Sequence, residues 1–256
     1  MQKSKLLVAL LGTLAAVPAM ADSPFSANVS LTTNYIFRGL TQTGGKPALQ
    51  GGFDYAGPNG IYAGVWGSNI SWIQDTNAAN TASVELDTYL GISNSFGESG
   101  DFTYDVGILR YNYPGTYLPG FPSANTNEIY GAIGYKWVTL KYSRSMGDLF
   151  GLTDTGGSSY LDLSASVPLP SDFSLGAHYG KQRFGGAAAN SALDYSDYNL
   201  SLSKDIGSGY SVSLMYSKTN AHGNPGEAYS WGAGGASGNL YDAGKGTAVL
   251  SISKSM

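Results

Sequence analysis

The chain reads as an all-β protein: a transmembrane, antiparallel, up-and-down β-barrel of about twelve strands, preceded by a cleaved signal peptide. Three observations carry this reading. The N-terminus has the form of an export leader, most of the remaining chain alternates apolar and polar residues, and the connections alternate between long and short.

The leader comprises Lys3 and Lys5, an apolar run over residues 6–17, and the small-x-small site Ala19-Met20-Ala21. A transmembrane anchor needs about 20 apolar residues, more than this run supplies, so cleavage after Ala21 is expected. Residues 1–21 are then a signal peptide and residues 22–256 one barrel domain. Without Lys3 and Lys5 the mature chain has 12 basic against 18 acidic residues, a formal charge of −6. No basic block is present, which argues against nucleic acid as a partner. The chain has no cysteine, so disulfides and thiolate metal sites are excluded. Only 12% of residues are charged, about half the share in ordinary soluble domains, while 36 glycines and 19 tyrosines are an unusually large complement.

In chain order, residues 27–38 place Ala27, Val29, Leu31, Thr33, Tyr35 and Phe37 on one face, with Asn28, Ser30, Thr32, Asn34 and Arg38 on the other. Gly44-Gly45-Lys46-Pro47 ends this strand. In residues 48–55, Gln50 and Asp54 oppose Leu49, Phe53 and Tyr55, and Pro58-Asn59-Gly60 is a tight turn. Residues 61–72 fit least well: Tyr62, Trp66, Ile70 and Trp72 oppose Ile61, Ala63 and Val65, so neither face is polar. Aromatics lining a narrow interior and a bulge near Gly67 both remain open there. After a polar loop, Glu85, Asp87, Tyr89 and Ser93 oppose Val84, Leu86, Leu90 and Ile92.

The turn 97–101 leads to Thr103, Asp105 and Gly107 opposite Tyr104, Val106 and Ile108. Residues 114–126 form a Pro- and Gly-containing loop. Glu128, Tyr130 and Lys136 then oppose Ile129, Ile133 and Tyr135, and after a reversal near Lys136-Trp137, Thr139, Lys141 and Ser143 oppose Val138, Leu140 and Tyr142. Tyr160, Asp162, Ser164 and Ser166 oppose Leu161, Leu163, Ala165 and Val167; past the turn 168–172, Ser174, Gly176, His178 and Gly180 oppose Phe173, Leu175, Ala177 and Tyr179. The hairpin 198–217 repeats the pattern around the turn 204–209, and residues 247–255 form the last strand after a long Gly-rich segment, 218–245. Its Gly-rich run, 232–238, favours a mobile surface loop over a constriction folded inward.

Twelve strands with long connections after odd strands and short ones after even strands match the loop asymmetry of outer-membrane barrels. That arrangement puts both termini in the periplasm and every long loop outside. A soluble barrel would turn its apolar face inward. The polar face here is rich in Ser, Gly, Thr and Asn and poor in Lys and Glu, unlike a water-exposed surface. Aromatics near strand ends (Tyr35, Phe37, Tyr55, Tyr142, Phe173, Tyr179, Tyr210 and Tyr216) fit interfacial girdles.

The segments Asn34-Tyr35-Ile36-Phe37-Arg38-Gly39-Leu40-Thr41-Gln42, Lys46-Pro47-Ala48-Leu49-Gln50-Gly51 and Gly60-Ile61-Tyr62-Ala63-Gly64-Val65-Trp66-Gly67-Ser68-Asn69 resemble the TorF family of putative porins. Glu85-Leu86-Asp87, Tyr104-Asp105-Val106-Gly107, Tyr111-Asn112-Tyr113-Pro114-Gly115 and Glu128-Ile129-Tyr130 continue the resemblance. It implies an outer-membrane channel with no well-defined substrate and no catalytic residues. Many outer-membrane barrels end in an aromatic residue; this chain ends in Met256.

A channel needs a polar interior and a constriction. The polar parity carries Asp54, Glu85, Asp87, Asp105, Glu128, Asp162 and Asp197 against Arg38, Lys136 and Lys141, an acidic excess that predicts weak cation preference if these groups line one lumen. Cross-strand pairing that braces the wall is the alternative role. Arg38 with Glu85 or Asp87 could serve as brace or filter, and Arg110, on the apolar parity, could snorkel to head groups. Twelve strands lie between filled and open barrels, so the pore is expected to pass ions or small solutes only. The other expected partners are outer-membrane lipid, lipopolysaccharide and the assembly machinery. A barrel hydrolase would need a partnered His; His178 lies among serines and His222 in a loop, with no motif around either. A purely structural, plugged barrel remains a third reading. No metal-ligand spacing, phosphate loop or cofactor fingerprint appears.

Overall fold

The structure is a computed structural model that describes residues 23–256 except 77, 80, 222, 225, 226 and 233–239. The expected signal peptide, His222 and most of the 232–238 run therefore lie outside the described residues.

Twelve antiparallel strands close into a barrel. They are β1 (Phe25–Thr32), β2 (Ala48–Ala56), β3 (Ile61–Asn69), β4 (Val84–Phe96), β5 (Phe102–Asn112) and β6 (Thr126–Tyr135). The second half comprises β7 (Val138–Ser145), β8 (Ser159–Leu169), β9 (Phe173–Arg183), β10 (Tyr195–Gly207), β11 (Tyr210–Thr219) and β12 (Thr247–Ser255). Every strand pairs with its chain neighbours, and β1 closes the ring on β12 through pairs such as Ser30–Ser253 and Thr32–Ser251. Closure leaves no unpaired edge, the condition for a sheet to cross hydrocarbon.

Register sorts the faces. Residues directly paired across strands share a side, so the runs Ser30–Gln50–Ser68–Glu85 and Asp162–Gly180–Asp197–Thr219 each lie on the inner wall. Outside, Leu31, Leu49, Leu90, Ile108, Leu163, Leu200, Leu214 and Ile252 are exposed. In water such a surface would aggregate; against lipid it is the solvated face. Aromatic clusters ring the barrel at the end carrying the short turns: Phe25 stacks on Phe53 (5.6 Å) and Phe96 on Phe102 (5.4 Å), with Phe102 4.7 Å from Tyr135. Outward-facing Tyr142, Tyr179, Tyr198 and Tyr216 lie towards the other end.

The sequence reading departs from the structure at a few places. The first strand ends at Thr32, not Arg38, because the chain then leaves the wall and turns into the lumen; Tyr35 and Phe37 consequently pack inside and belong to no interfacial girdle. Strand β3 stops at Asn69, and Trp72 opens a single-turn helix, α1 (Trp72–Asp75). Tyr62 and Trp66 face inward, paired with Gly91 and Asp87, and the register through Gly67 is unbroken, which decides between the two options left open for this strand. The one register shift noted in the β10–β11 hairpin falls at Asp205–Gly207. Lys136 sits in the β6–β7 turn with positive φ, where it meets Asp101 at 3.9 Å on the surface, outside the lumen. Both partners are exposed, so this pair adds little stability. Arg110 is exposed on the outer face, donating to Asn112 (2.7 Å) and Asn127 (3.1 Å).

Replacing Leu163, central on the outer face of β8, with arginine should destabilise the vesicle-inserted barrel by about 2–4 kcal/mol. Urea unfolding of the inserted barrel measures this; an unchanged midpoint would mean that this face does not meet lipid.

Candidate functional site

The lumen is organised by its first loop, residues 33–47. Asn34 anchors it: its side-chain oxygen accepts from the hydroxyls of Thr41 (2.5 Å) and Thr43 (3.1 Å), while the Thr43 hydroxyl accepts from the Tyr35 amide at 3.2 Å. Between these anchors Ile36–Phe37 pairs with Leu40–Thr41 in a miniature hairpin. Its two turn residues, Arg38 (φ 47°) and Gly39 (φ 79°), are both left-handed, the pattern of a type I′ turn. Gly39 is required twice over: by that φ, and because a Cβ there would come 2.5 Å from Cβ of Asp197 on the wall.

The hairpin tip spans the bore. Arg38 Nη2 donates to Glu128 Oε2 at 2.8 Å and Nη1 to Gln182 Oε1 at 3.0 Å. The guanidinium carbon lies 4.3 Å from the centroid of Tyr160 and 4.9 Å from that of Phe37. Both members of the ion pair are buried, so each charge depends on the other for compensation. Tyr35 packs edge-on to Trp66 (5.6 Å), and Phe37 to Tyr111 (5.7 Å) and Phe150 (5.8 Å), which wedges the hairpin against the β3–β5 side.

Two further loops cover it. The Gln42 carbonyl accepts from the amide of Ser71 at 2.8 Å, tying the first loop to α1. The described parts of the long loop before β12 do not stand free in solvent as expected: Ala221, Trp231 and Ala243 are buried with Leu40 and Tyr195, and Tyr241 donates to Asp75 at 2.7 Å. The constriction comes from the first loop, with this one packed over it.

A second polar centre lies on β8–β10. His178 Nδ1 is 3.1 Å from Asp162 Oδ2, its Nε2 is 2.9 Å from Asp197 Oδ1, and the Tyr160 hydroxyl donates to Asp197 Oδ2 at 2.9 Å. Ionised carboxylates only accept hydrogen bonds, so an imidazole held between two of them carries a proton on each nitrogen. This imidazolium joins three adjacent strands.

The remaining sequence-selected residues also lie on the inner wall. Asp54 accepts from the Tyr89 hydroxyl, and Asp105 from that of Tyr62 at 2.6 Å. Lys141 lies 3.9 Å above the Tyr130 ring, within Coulombic reach of Asp105 and Glu128. Glu85 and Asp87 are buried beside Tyr35, Tyr111 and Tyr113; the Tyr35 and Tyr113 hydroxyls lie within hydrogen-bonding reach of Glu85, and Asp87 Oδ1 lacks a partner. Arg38 pairs with Glu128, not with Glu85 or Asp87 as considered from sequence. Among the described residues no cluster of three or more His, Asp or Glu side chains is arranged to hold a metal.

Sequence reasoning missed Gln182 and the tyrosines. Gln182 falls within β9, which runs three residues past its expected end at Gly180. Tyr62, Tyr89, Tyr130 and Tyr160 lie on the inner parity, and a Cβ at Gly91, Gly64, Gly107 or Gly180 would collide with the respective ring. Tyrosine beside inward glycine was the available signal.

Two outcomes test this geometry. His178→Gln leaves Asp162 and Asp197 facing one another without a cation and should cost about 3–5 kcal/mol, partly recovered by adding Asp162→Asn, as read from urea midpoints. Gly39→Ala should unseat the hairpin while the barrel stays folded, so that trypsin cuts after Arg38 in the variant and spares the wild type.

No curated protein matches the chain by sequence. Among solved structures, the KdgM porin superposes with a TM-score of 0.53 at 10% identity, covering 90% of this chain and 99% of its own. The NanC porin gives 0.50 at 11% identity, covering 90% and 97%. A KdgM porin in complex with disordered oligogalacturonate gives 0.50 at 7% identity, covering 91% and 98%. At these identities the likeness is one of fold, the barrel of outer-membrane porins. The family model described as "Bacterial protein of unknown function (Gcw_chp)" matches residues 18–256, and the chain belongs to that family.

Proposed function

We propose that the protein is an outer-membrane channel, narrow and weakly cation-preferring, for passive diffusion of ions or small hydrophilic solutes. The observation that carries this is a polar inner wall on which acidic side chains outnumber basic ones. Arg38 is spent on Glu128, His178 on Asp162 and Asp197, and Lys141 lies within reach of Asp105. Among the described residues, Asp54, Glu85 and Asp87 have no basic partner within ion-pair distance. In a bore this narrow an acidic excess on the wall acts on every passing ion. The porin fold supports the reading, as does the resemblance to the TorF putative porins.

The acidic balance distinguishes this lumen from one suited to acidic sugars, so the oligogalacturonate named with the KdgM porin is not carried over. In this reading Asp54, Glu85 and Asp87 set the preference, while Arg38, Asp105, Glu128, Lys141, Asp162 and Asp197 brace the wall and the constriction. Residues 1–21 are a cleaved signal peptide, both termini are periplasmic, and outer-membrane lipid, lipopolysaccharide and the assembly machinery are the partners. A hydrolase built on His178 is disfavoured, because both ring nitrogens are engaged by carboxylates and neither is left to activate a serine. The crossing hairpin favours a constricted resting state, the part of the plugged-barrel reading retained here.

Planar-bilayer recording tests the proposal. Small discrete conductance steps are expected from the wild type and larger ones from Gly39→Ala. The reversal potential in a salt gradient should show cation preference, weakened in a Glu85→Gln/Asp87→Asn variant. Silence from both wild type and Gly39→Ala at high protein load would overturn the channel assignment.

A further inference from the structure

The side chain at the tip of the first loop sits in a site with the chemistry of a receptor. Three wall strands build it: Glu128 of β6 offers a carboxylate at 2.8 Å, Gln182 of β9 an amide oxygen at 3.0 Å, and Tyr160 of β8 an aromatic face at 4.3 Å. One ionised acceptor, one neutral acceptor and one π-face match the charge, the donors and the flat surface of a guanidinium group. None of the three belongs to the loop, and the wall holds them independently of it: the Tyr160 hydroxyl is bonded to Asp197, and the Gln182 amide nitrogen donates to the carbonyls of Ser159 (3.1 Å) and Arg183 (3.2 Å).

The occupant is held less naturally than its site. Arg38 has φ 47°, a conformation that side chains other than glycine rarely adopt, at the end of a hairpin joined to the wall at both ends. The cage is thus part of the barrel, and the guanidinium is brought to it on a tether.

Further acidic groups lie beside the cage. Glu85 and Asp87 are 1% and 7% exposed; Glu85 lies within hydrogen-bonding reach of the Tyr35 and Tyr113 hydroxyls, and Asp87 Oδ1 lacks a partner. They adjoin the cage through Tyr111, which pairs with Asp87 in the strand register and lies 3.4 Å from Glu128 Oε2 through its hydroxyl. Ionised, such buried groups are costly without a counter-charge, and among the described residues no basic side chain is within ion-pair distance of these two.

We propose that Glu128, Gln182 and Tyr160 form the binding site for guanidinium-bearing solutes, and that Arg38 occupies it as a tethered stand-in which such solutes displace. This rests on the channel reading and names its solute class. Displacement frees the hairpin tip to leave the bore, so solute binding and widening of the path are one event. A group tethered by a short loop competes at an effective concentration in the millimolar range, so the natural solute acts at millimolar concentrations or above.

The test records full-length barrels in planar bilayers with L-arginine as the probe, using wild type, Arg38→Ala and Arg38→Ala/Glu128→Gln. In sodium chloride, Arg38→Ala should conduct several-fold more than wild type. Millimolar L-arginine should interrupt the Arg38→Ala current; wild type should need about tenfold more, and the double variant at least about tenfold more. Glucose and glucuronate at the same concentrations should leave the Arg38→Ala current unbroken. If that variant conducts but arginine has no effect, or if the double variant is interrupted equally, the proposal is overturned and the channel reading stands. Silence from all three proteins overturns both.

Discussion

Hydrocarbon offers nothing to a backbone amide or carbonyl, and the rest of this structure follows from that constraint. A sheet in lipid must close, so β1 returns to β12 and every strand is paired on both sides. Closure sorts the side chains of the strands by parity: most outward positions are apolar and face lipid, and the acidic and basic groups on the inner wall are committed to the lumen. The interior therefore has its own problem of charge compensation. Arg38 with Glu128, and His178 between Asp162 and Asp197, are two solutions within the same bore.

Twelve strands make a bore too wide for wall side chains to fill and too narrow for a loop to enter without touching all sides. The first loop enters it. Its Asn34–Thr41–Thr43 anchor is local, but its tip is held by β6, β8 and β9, which follow it far along the chain. The unusual composition belongs to the same geometry. Four inward tyrosines lie against inward glycines, so the ring of one strand uses space left by the absent side chain of the next. Their hydroxyls then reach Asp54, Asp105 and Asp197, which allows carboxylates to sit on the wall with few basic partners.

Much of the wall could be read from the chain in order. Glu85 with Asp87, Asp105, Glu128, Lys141, Asp162 and Asp197 fall on the inner parity because a strand has a period of two and nothing else decides the face. The reading failed where alternation was not evidence of membership in the wall. Residues 33–38 continue the pattern of β1 with only Ile36 out of place, yet Ile36–Phe37 belongs to a separate hairpin inside the lumen. Residues 61–69 carry no polar face because their inner side is Tyr62 and Trp66, packed in the lumen instead of wetted. The described ends of the long loop before β12 are anchored by Trp231 and Tyr241, although its glycine content suggested a free segment.

By itself the sequence determined the strand count, the closed transmembrane class, the outward face and the acidic balance of the inner one. These depend on residue spacing and chain length, which are local. Only the tertiary structure decided which loop crosses the bore, that Arg38 meets Glu128 and not Glu85 or Asp87, and that His178 is bracketed by two aspartates. Those contacts join residues from 16 to 144 positions apart. Strand tilt and stagger around the closed barrel set which inward positions share a height, and no local periodicity encodes that.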